Sequence, residues 1–301
     1  MLKLDEKKIR KGKPIGLPYQ GSKKKISKKI IEIIKQNFGT DRPIYDIFGG
    51  GGAITAECVL NGLEVHYNDL DKDITNAFER VISQDREWIK TLIVSRDEFF
   101  EIKAKENKTT DDFLKLLVNS FGNDKKSYLY SKGVSDLKYN IAKEIIEKHD
   151  VFSGYTQTET YKRSIVKLLR LEQLERRQRF QQLEQLQQLQ QLQRLQQPQK
   201  LNKIKATNKS YHTFSDVSGA VLYLDPPYEG SCQKSYINSF DSQEFYDWAF
   251  EIAKTNIVII SSYSISDERF EVVYSFDKAH STLEGGTRND KCEKLFMVKN
   301  S

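Results

Sequence analysis

An α/β fold, a Rossmann-like sheet interrupted by a mostly helical insertion, is predicted by three features of the sequence. A short β-rich run, IYDIF (44–48), leads straight into four glycines and the helix-like AITAECVLNG. A second strand, around Glu64 to Tyr67, is followed by the acidic turn NDLD. Strand, glycine turn, helix, strand, acid is the order of a nucleotide-binding βαβ unit. The same rhythm returns near residue 221 after more than a hundred residues that lack it.

The remaining elements follow from apolar spacing. KKKISKKIIEIIKQNF (23–38) places Ile26, Ile30, Ile33 and Ile34 at helical intervals. After NDLD, an amphipathic helix presents Ile74, Phe78, Val81 and Ile82. The apolar strand VLYL (221–224), the helix SQEFYDWAFEIAK, the strand IVII (257–260), then FEVVYSF and EKLFMV complete the pattern. Residues 1–84 and 206–301 are thus expected to form the catalytic domain, and 85–205 the insertion. NSFGNDKKSYLYSKG (119–133), rich in Asn, Lys, Ser and Tyr, reads as an exposed recognition surface.

The insertion ends in a Leu/Gln-rich tract, expected as a helical arm over 165–198. Leu171, Leu174, Phe180, Leu183, Leu186, Leu189, Leu192 and Leu195 fall on a period of three. Each triplet lags a full helical turn by about 60°, so the stripe winds around the helix. A two-stranded coiled coil needs a period of about 3.5 and is disfavoured. Leu and Gln favour helix, which should end near Pro198. The tract reads as a tolerated repeat in a peripheral arm, with a protein-partner or DNA-clamping role as the alternative.

Charge is unevenly placed. Residues 1–29 hold eleven Lys or Arg against Asp5 and Glu6, a local balance of +9, while the whole chain of 301 residues carries +6. The rest is therefore slightly acidic. A concentrated basic segment is the footprint of a polyanion binder, or simply a solvated terminus. Mean hydropathy is −0.62, and no apolar run approaches the ~18 residues of a membrane span. The N-terminus lacks the apolar core of a signal peptide. Cys58, Cys232 and Cys292 form no CxxC pair, which speaks against a metal site or disulfide framework and for a reducing cytoplasm.

Two motifs carry chemistry. In DIFGGGG, glycines at a strand end allow a nucleotide-like ligand to approach the backbone, and the helix that follows favours its polar end. Asp69 stands where such units bind ribose hydroxyls. No GxxxxGK[ST] loop is present, which argues against ATP hydrolysis. In VLYLDPPYEG, Asp225 closes a strand at the edge where open α/β sheets bind ligands. Pro226 and Pro227 fix the turn and bring no N–H, so Asp225 and the Pro226 carbonyl form an acceptor-only pocket beside the ring of Tyr228. Such a pocket suits a planar base with an exocyclic NH2, the amino group of adenine or cytosine.

With these residues the chain resembles the Dam-type (alpha-group) family of DNA adenine-N6 methyltransferases, including versions common in phage genomes. The likeness runs through LPYQGSKKKI, FGGGG, NDLD, DPPY and EKLF, in that order. It implies a methyltransferase sheet that uses S-adenosylmethionine, a target-recognition insertion and double-stranded DNA as partner, with neither metal nor membrane involved. It further implies that Tyr19, Lys23, Phe48, Gly50, Gly52, Asp69 and Asp225 bind the cofactor. Asp225, Pro226, Pro227 and Tyr228 would be catalytic, and a restriction-modification setting is consistent with the family. Two positions depart from the family pattern: Ser210 stands before Tyr211, and a serine precedes Tyr263, where relatives often carry an acid.

The implied reaction is direct methyl transfer to N6 of a flipped adenine. Methylation of cytosine N4 or of a protein amide is the same chemistry on another acceptor. From a different class, a catalytically silent nucleic-acid-binding or assembly protein could keep this fold.

Overall fold

The computed structural model describes residues 1–19, 21–175, 183–229, 240–276 and 292–299, with 169–175 described in backbone only. Phe180 and Cys232 therefore lie outside the described residues. The chain divides into two compact units, Met1–Pro14 with Lys23–Thr75 and Ile204–Ser301, and Ile15–Ser22 with Asn76–Lys203.

The first unit opens with the lysine-rich arm. The Arg10 fork donates to both carboxylate oxygens of Glu57 (2.7 and 2.9 Å), a side chain only 1% exposed. Asn37 exchanges two hydrogen bonds with the backbone of Lys3. These contacts hold the arm against helix α1 (Ser27–Phe38), whose Ile30, Ile31, Ile33 and Ile34 are buried, and helix α2 (Ala53–Leu60). Between the two helices runs strand β1 (Ile44–Asp46), and after α2 come β2 (Val65–Tyr67) and α3 (Lys72–Ser83), of which the residues from Asn76 on belong to the second unit. Ile30, Ile33 and Ile34 and the apolar face of Ile74, Phe78, Val81 and Ile82 are buried as their periodicity predicts, while Ile26, just before α1, is only partly buried.

The second unit is helical: α4 (Arg86–Lys90), α5 (Arg96–Ala104), α6 (Thr110–Val118), α7 (Ser135–Lys148), α8 (Glu159–Glu175) and α9 (Glu184–Gln196). Asp85, Ser95 and Thr109 cap α4, α5 and α6 by accepting backbone N–H bonds.

The chain then returns to the first unit with β3 (Val221–Leu224), α10 (Ser242–Ile252), β4 (Ile257–Ser262), β5 (Phe270–Ser275) and β6 (Lys294–Val298). Strand order is β2-β1-β3-β4-β6-β5. The first four strands run parallel, and β6 pairs antiparallel with both β4 and β5. This is the mixed α/β, Rossmann-like sheet expected from the sequence. Leu222, Leu224, Val258 and Ile260 pack with Phe245, Trp248 and Ile252 of α10. Strand order reverses between β1 and β3, and ligands of open parallel sheets bind in the crevice beyond such a switch point.

Two expectations from the sequence are corrected in the second unit. The leucine tract is not a peripheral arm, at least over its described residues. Leu186, Leu189, Leu192 and Leu195 are all fully buried, and Leu183 is 2% exposed. The four leucines inside α9 sweep about 180° of its circumference, too wide for one flat partner. They are buried because α9 touches α4, α6 and α7, so neighbours cover the winding stripe from several directions. Nor is the tract one helix, since α8 and α9 are separate elements and Leu183 leaves helical geometry at φ −91° and ψ 76°.

The stretch 119–133 is likewise only partly exposed. Phe121 is 54% exposed, but Asn119, Tyr128 and Tyr130 are buried. They join a polar network around the fully buried Gln185, whose Nε2 donates to Asn119 Oδ1 (2.6 Å), the Val94 carbonyl (3.0 Å) and Tyr128 Oη (3.2 Å). Next to it, Lys138, 3% exposed, pairs with Glu184 at 3.3 Å.

Burial of α9 gives a direct test. Leu189→Ala is expected to cost ~2–5 kcal/mol in denaturant unfolding, as core leucines do. A leucine on an exposed arm would change stability by less than ~0.5 kcal/mol, and a value that small would contradict the packing described above.

Candidate functional site

At the carboxyl end of β1 the chain turns through Gly49–Gly52. Gly49 lies against Tyr67 so closely that a Cβ would meet the Tyr67 ring at 2.4 Å. Gly50 adopts φ +48°, a backbone that side chains disfavour. Its N–H donates to Asp69 Oδ2 (2.7 Å), and its carbonyl accepts from the Tyr67 hydroxyl (2.8 Å). Gly52, also left-handed, caps α2. Asp69 Oδ1 accepts from the N–H of Asp71 (2.8 Å), so this carboxylate ties the glycine turn to the turn after β2. Asn68 ties in a third segment: its side chain bonds the Ile47 carbonyl, both backbone groups of Lys209 and the Thr207 hydroxyl. Ser210 follows as an extended residue at the start of the short helical turn Tyr211–Phe214.

A cluster of acids results. Asp46, 1% exposed, ends β1. Its Oδ2 accepts from the Thr55 N–H (3.1 Å) and hydroxyl (2.7 Å), while its Oδ1 is buried with no hydrogen-bond partner. Burial, with Asp225 and Asp69 nearby, raises the Asp46 carboxyl to about 7 despite the bonds from Thr55. Burial raises Asp69 to about 6 against the pull of its two backbone donors.

Asp225 follows β3 at the same edge. Its Oδ2 lies 2.8 Å from Lys23 Nζ, both side chains being largely buried at 16% and 11% exposure. Burial pushes its pKa up, Lys23 pulls it back and Glu293 adds to the rise. Burial opposes the charge on Lys23, but the two carboxylates outweigh it and raise its pKa, so the ammonium stays protonated. Tyr228 Oη donates to Glu293 Oε1 and lies 3.2 Å from Asp225 Oδ1. Burial and both carboxylates hold that phenol far above its ordinary pKa. The Tyr228 ring meets Tyr263 edge-on, centroids 4.8 Å apart, with Lys23 Nζ 5.0 Å from its centre.

Of the residues singled out from the sequence, Lys23, Asp225 and Tyr228 thus come together directly, and Gly50 and Asp69 meet beside them. Pro226 is buried and Pro227 half-buried in the turn between Asp225 and Tyr228. Phe48 packs into an aromatic group with Tyr211, Phe240 and Phe245. Tyr19 belongs to the second unit, where its carbonyl accepts from the Ser22 N–H. Three participants were not assigned roles from sequence: Asp46, Asn68 and Glu293. Asp46 and Asn68 stand inside motifs already quoted, Asp46 as the polar residue closing β1 and Asn68 as the first residue after β2. Glu293 reaches the site because β6 runs antiparallel, so its start lies at the edge where β3 and β4 end. The EKLF motif was the available signal. Among the described residues no group of three or more His, Cys, Asp or Glu is placed to hold a metal, and no helix is long and apolar enough to cross a membrane.

Asp46 makes stability depend on pH. The folded carboxyl keeps its proton up to about pH 7, whereas the unfolded one releases it near its ordinary pKa of 3.8. Its cost is therefore absent at low pH, grows between those values and is full above them. Melting temperatures of Asp46→Asn minus wild type are expected to rise from pH 4 to pH 8, and a flat difference would contradict a buried, proton-holding Asp46.

No curated protein matches the chain. A solved rRNA methyltransferase, aviRa from Streptomyces viridochromogenes, aligns over 90% of this chain and 84% of its own at 10% identity, with a TM-score of 0.35. The family described as D12 class N6 adenine-specific DNA methyltransferase matches residues 19–284. That span takes in the glycine turn, Asp69 and the DPPY turn, and the chain belongs to this family of adenine-specific DNA methyltransferases.

Proposed function

We propose that the chain transfers the methyl group of S-adenosylmethionine to N6 of an adenine flipped out of duplex DNA, with Asp225, Pro226, Pro227 and Tyr228 forming the acceptor pocket. The observation that carries this reading is the placement of Asp225, which lies at the carboxyl edge of the sheet beside Tyr228 and Lys23. S-adenosylmethionine supplies a methyl activated on a sulfonium, so the protein contributes position and electrostatics.

The residues present fit such a donor. Asp46 offers a buried carboxylate oxygen without a partner, and Asp69 a second acid at the next strand end. A cationic ligand matches an edge where burial raises the pKa of three carboxyls and Asp225 adds to the rise of Asp46 and Asp69. Gly50, Gly52 and Phe48 would line the donor side, with Lys23 near its reactive end. Tyr19 is a proposed cofactor contact through the family resemblance alone.

Asp225 Oδ1 and the Pro226 carbonyl would accept the two N6–H bonds, holding the amine while positive charge develops on it. Extrusion of the base costs a few kcal/mol, and stacking on Tyr228 returns ~1–3 kcal/mol. The helical second unit would serve target recognition, with the exposed Phe121 and the lysines at 125 and 126 as a candidate DNA-facing loop.

The test is methyl transfer from labelled S-adenosylmethionine to duplex DNA, followed by nucleoside analysis for N6-methyladenine. Asp225→Ala is expected to lower the rate by ~10³-fold, measured at a temperature where circular dichroism shows the variant still folded. A rate unchanged in that variant would remove Asp225 from the chemistry.

The pinned N-terminal arm makes a second prediction. Lys8 and Lys11 are exposed there. If they meet phosphates, Lys8→Ala with Lys11→Ala weakens DNA binding on all sequences and lowers the slope of log K against log salt by about 2. An unchanged slope would place the DNA elsewhere.

A further inference from the structure

We propose that Glu293 is a positioning residue that keeps one oxygen of Asp225 free for the target amine, by capturing the only hydrogen of the Tyr228 hydroxyl. The proposal rests on the reading of Asp225 given above and adds a role for a residue on the last strand.

The argument is a count of donors and acceptors. Asp225 Oδ2 is committed to Lys23 at 2.8 Å. Only Oδ1 remains for an incoming N6–H, and the Tyr228 hydroxyl lies 3.2 Å from it. A phenol has one hydrogen to donate. Offered to Asp225, that hydrogen would take one of the two lone-pair sites of Oδ1 and draw off the charge that the substrate amine needs. It is drawn away because Glu293 Oε1 accepts it over a shorter distance. Tyr228 then meets Asp225 through its oxygen, which has lone pairs and no spare hydrogen.

Glu293 is itself held for this task. Ser261 at the end of β4 donates its hydroxyl to the same Oε1 at 2.7 Å, and Lys23 Nζ approaches it at 3.8 Å. The antiparallel entry of β6 sets the carboxylate opposite Ser261, because Ser261 and Leu295 are register partners. Two acids thus share one lysine and one phenol. The lysine leans towards Asp225 and the phenol towards Glu293, an allocation that leaves Asp225 Oδ1 without a competing hydrogen from Tyr228.

Removing Glu293 should therefore harm catalysis through the Tyr228 hydroxyl rather than through the fold. A double-mutant cycle separates the two. Initial rates are measured with methyl-labelled S-adenosylmethionine and duplex genomic DNA free of N6-methyladenine. Glu293→Ala is expected to lower kcat about 10–100-fold with a much smaller change in KM. Tyr228→Phe in the wild-type background also lowers kcat, because the ring loses its anchor. In the Glu293→Ala background the same substitution is expected to raise kcat by about threefold or more, since it removes the competing hydrogen. Losses that simply multiply, or a further fall, overturn the proposal.

A readout without turnover keeps the two readings apart. The 13C signal of the Asp225 carboxyl is titrated in protein holding neither donor nor DNA. Lys23, Glu293, Tyr228 and Tyr223 are the titratable neighbours that act on it. Glu293→Ala should move its midpoint down, and adding Tyr228→Phe should move it back up. No upward return defeats the hydrogen competition even if Asp225→Ala still abolishes methylation. An upward return in a protein that methylates nothing upholds the competition and defeats the functional reading instead. Should Glu293→Ala fail to melt cooperatively, Glu293→Gln serves, because its amide oxygen still accepts the phenol hydrogen. In that background Tyr228→Phe should lower kcat, and a rise would count against the proposal.

Discussion

The site depends on one ammonium set between two carboxylates. Lys23 Nζ lies 2.8 Å from Asp225 and 3.8 Å from Glu293, and little of any of these side chains is exposed. Leaving an acid buried without its cation is strongly unfavourable, by ~3–5 kcal/mol when one partner of such a pair is removed. Lys23 therefore links three parts of the chain that local propensity does not bring together: the turn before α1, the turn after β3 and the start of β6. Its position follows from α1, whose isoleucine face packs into the core and so delivers the preceding residues to the carboxyl edge of the sheet.

The rest of the edge is built by carboxylates and amides working on the backbone. Asp69 bonds the N–H groups of Gly50 and Asp71, and Asn68 bonds segments at Ile47 and Lys209. Each spans two loops that belong to different crossovers. A side chain that satisfies otherwise unpaired backbone groups in two loops also fixes the distance between them. The glycine turn is thus held open in shape by its neighbours. Tyr67, filling the space a Cβ at Gly49 would need, completes the fit.

Much of this was legible in the sequence. The βαβ order, the glycine turn, Asp69 and the DPPY turn are local signals, and each lies where the sheet order requires. Lys23 was legible only through family resemblance, because nothing in a run of three lysines distinguishes the one that turns inward. Glu293 was harder still, since its partners Lys23 and Tyr228 are far away in the chain and the antiparallel entry of β6 is a tertiary property. The leucine tract failed for a different reason. A period of three was judged against a single flat partner, and a helix surrounded on several sides can bury a winding stripe that no flat partner could. Gln185, fully buried, shows the cost of reading composition alone: in a tract of glutamines, one is a core residue because Asn119, Val94 and Tyr128 supply its bonds.

The charge balance of the edge also bears on what it would accept. Asp225 and Glu293 share one ammonium, whereas Asp46 and Asp69 accept from neutral donors, and burial leaves Asp46 holding a proton to about pH 7. A cationic donor arriving beside Asp46 and Asp69 would favour their ionised forms. Asp225 adds to the rise of both of those acids, while its own pKa is raised by burial and Glu293 and held back by Lys23, so a cation beside Asp46 and Asp69 would reach Asp225 only through that shared field. A more fully ionised Asp225 is a better acceptor for an amine that gains positive charge as it reacts. On the proposed reading, donor binding would thus strengthen the acceptor through charge.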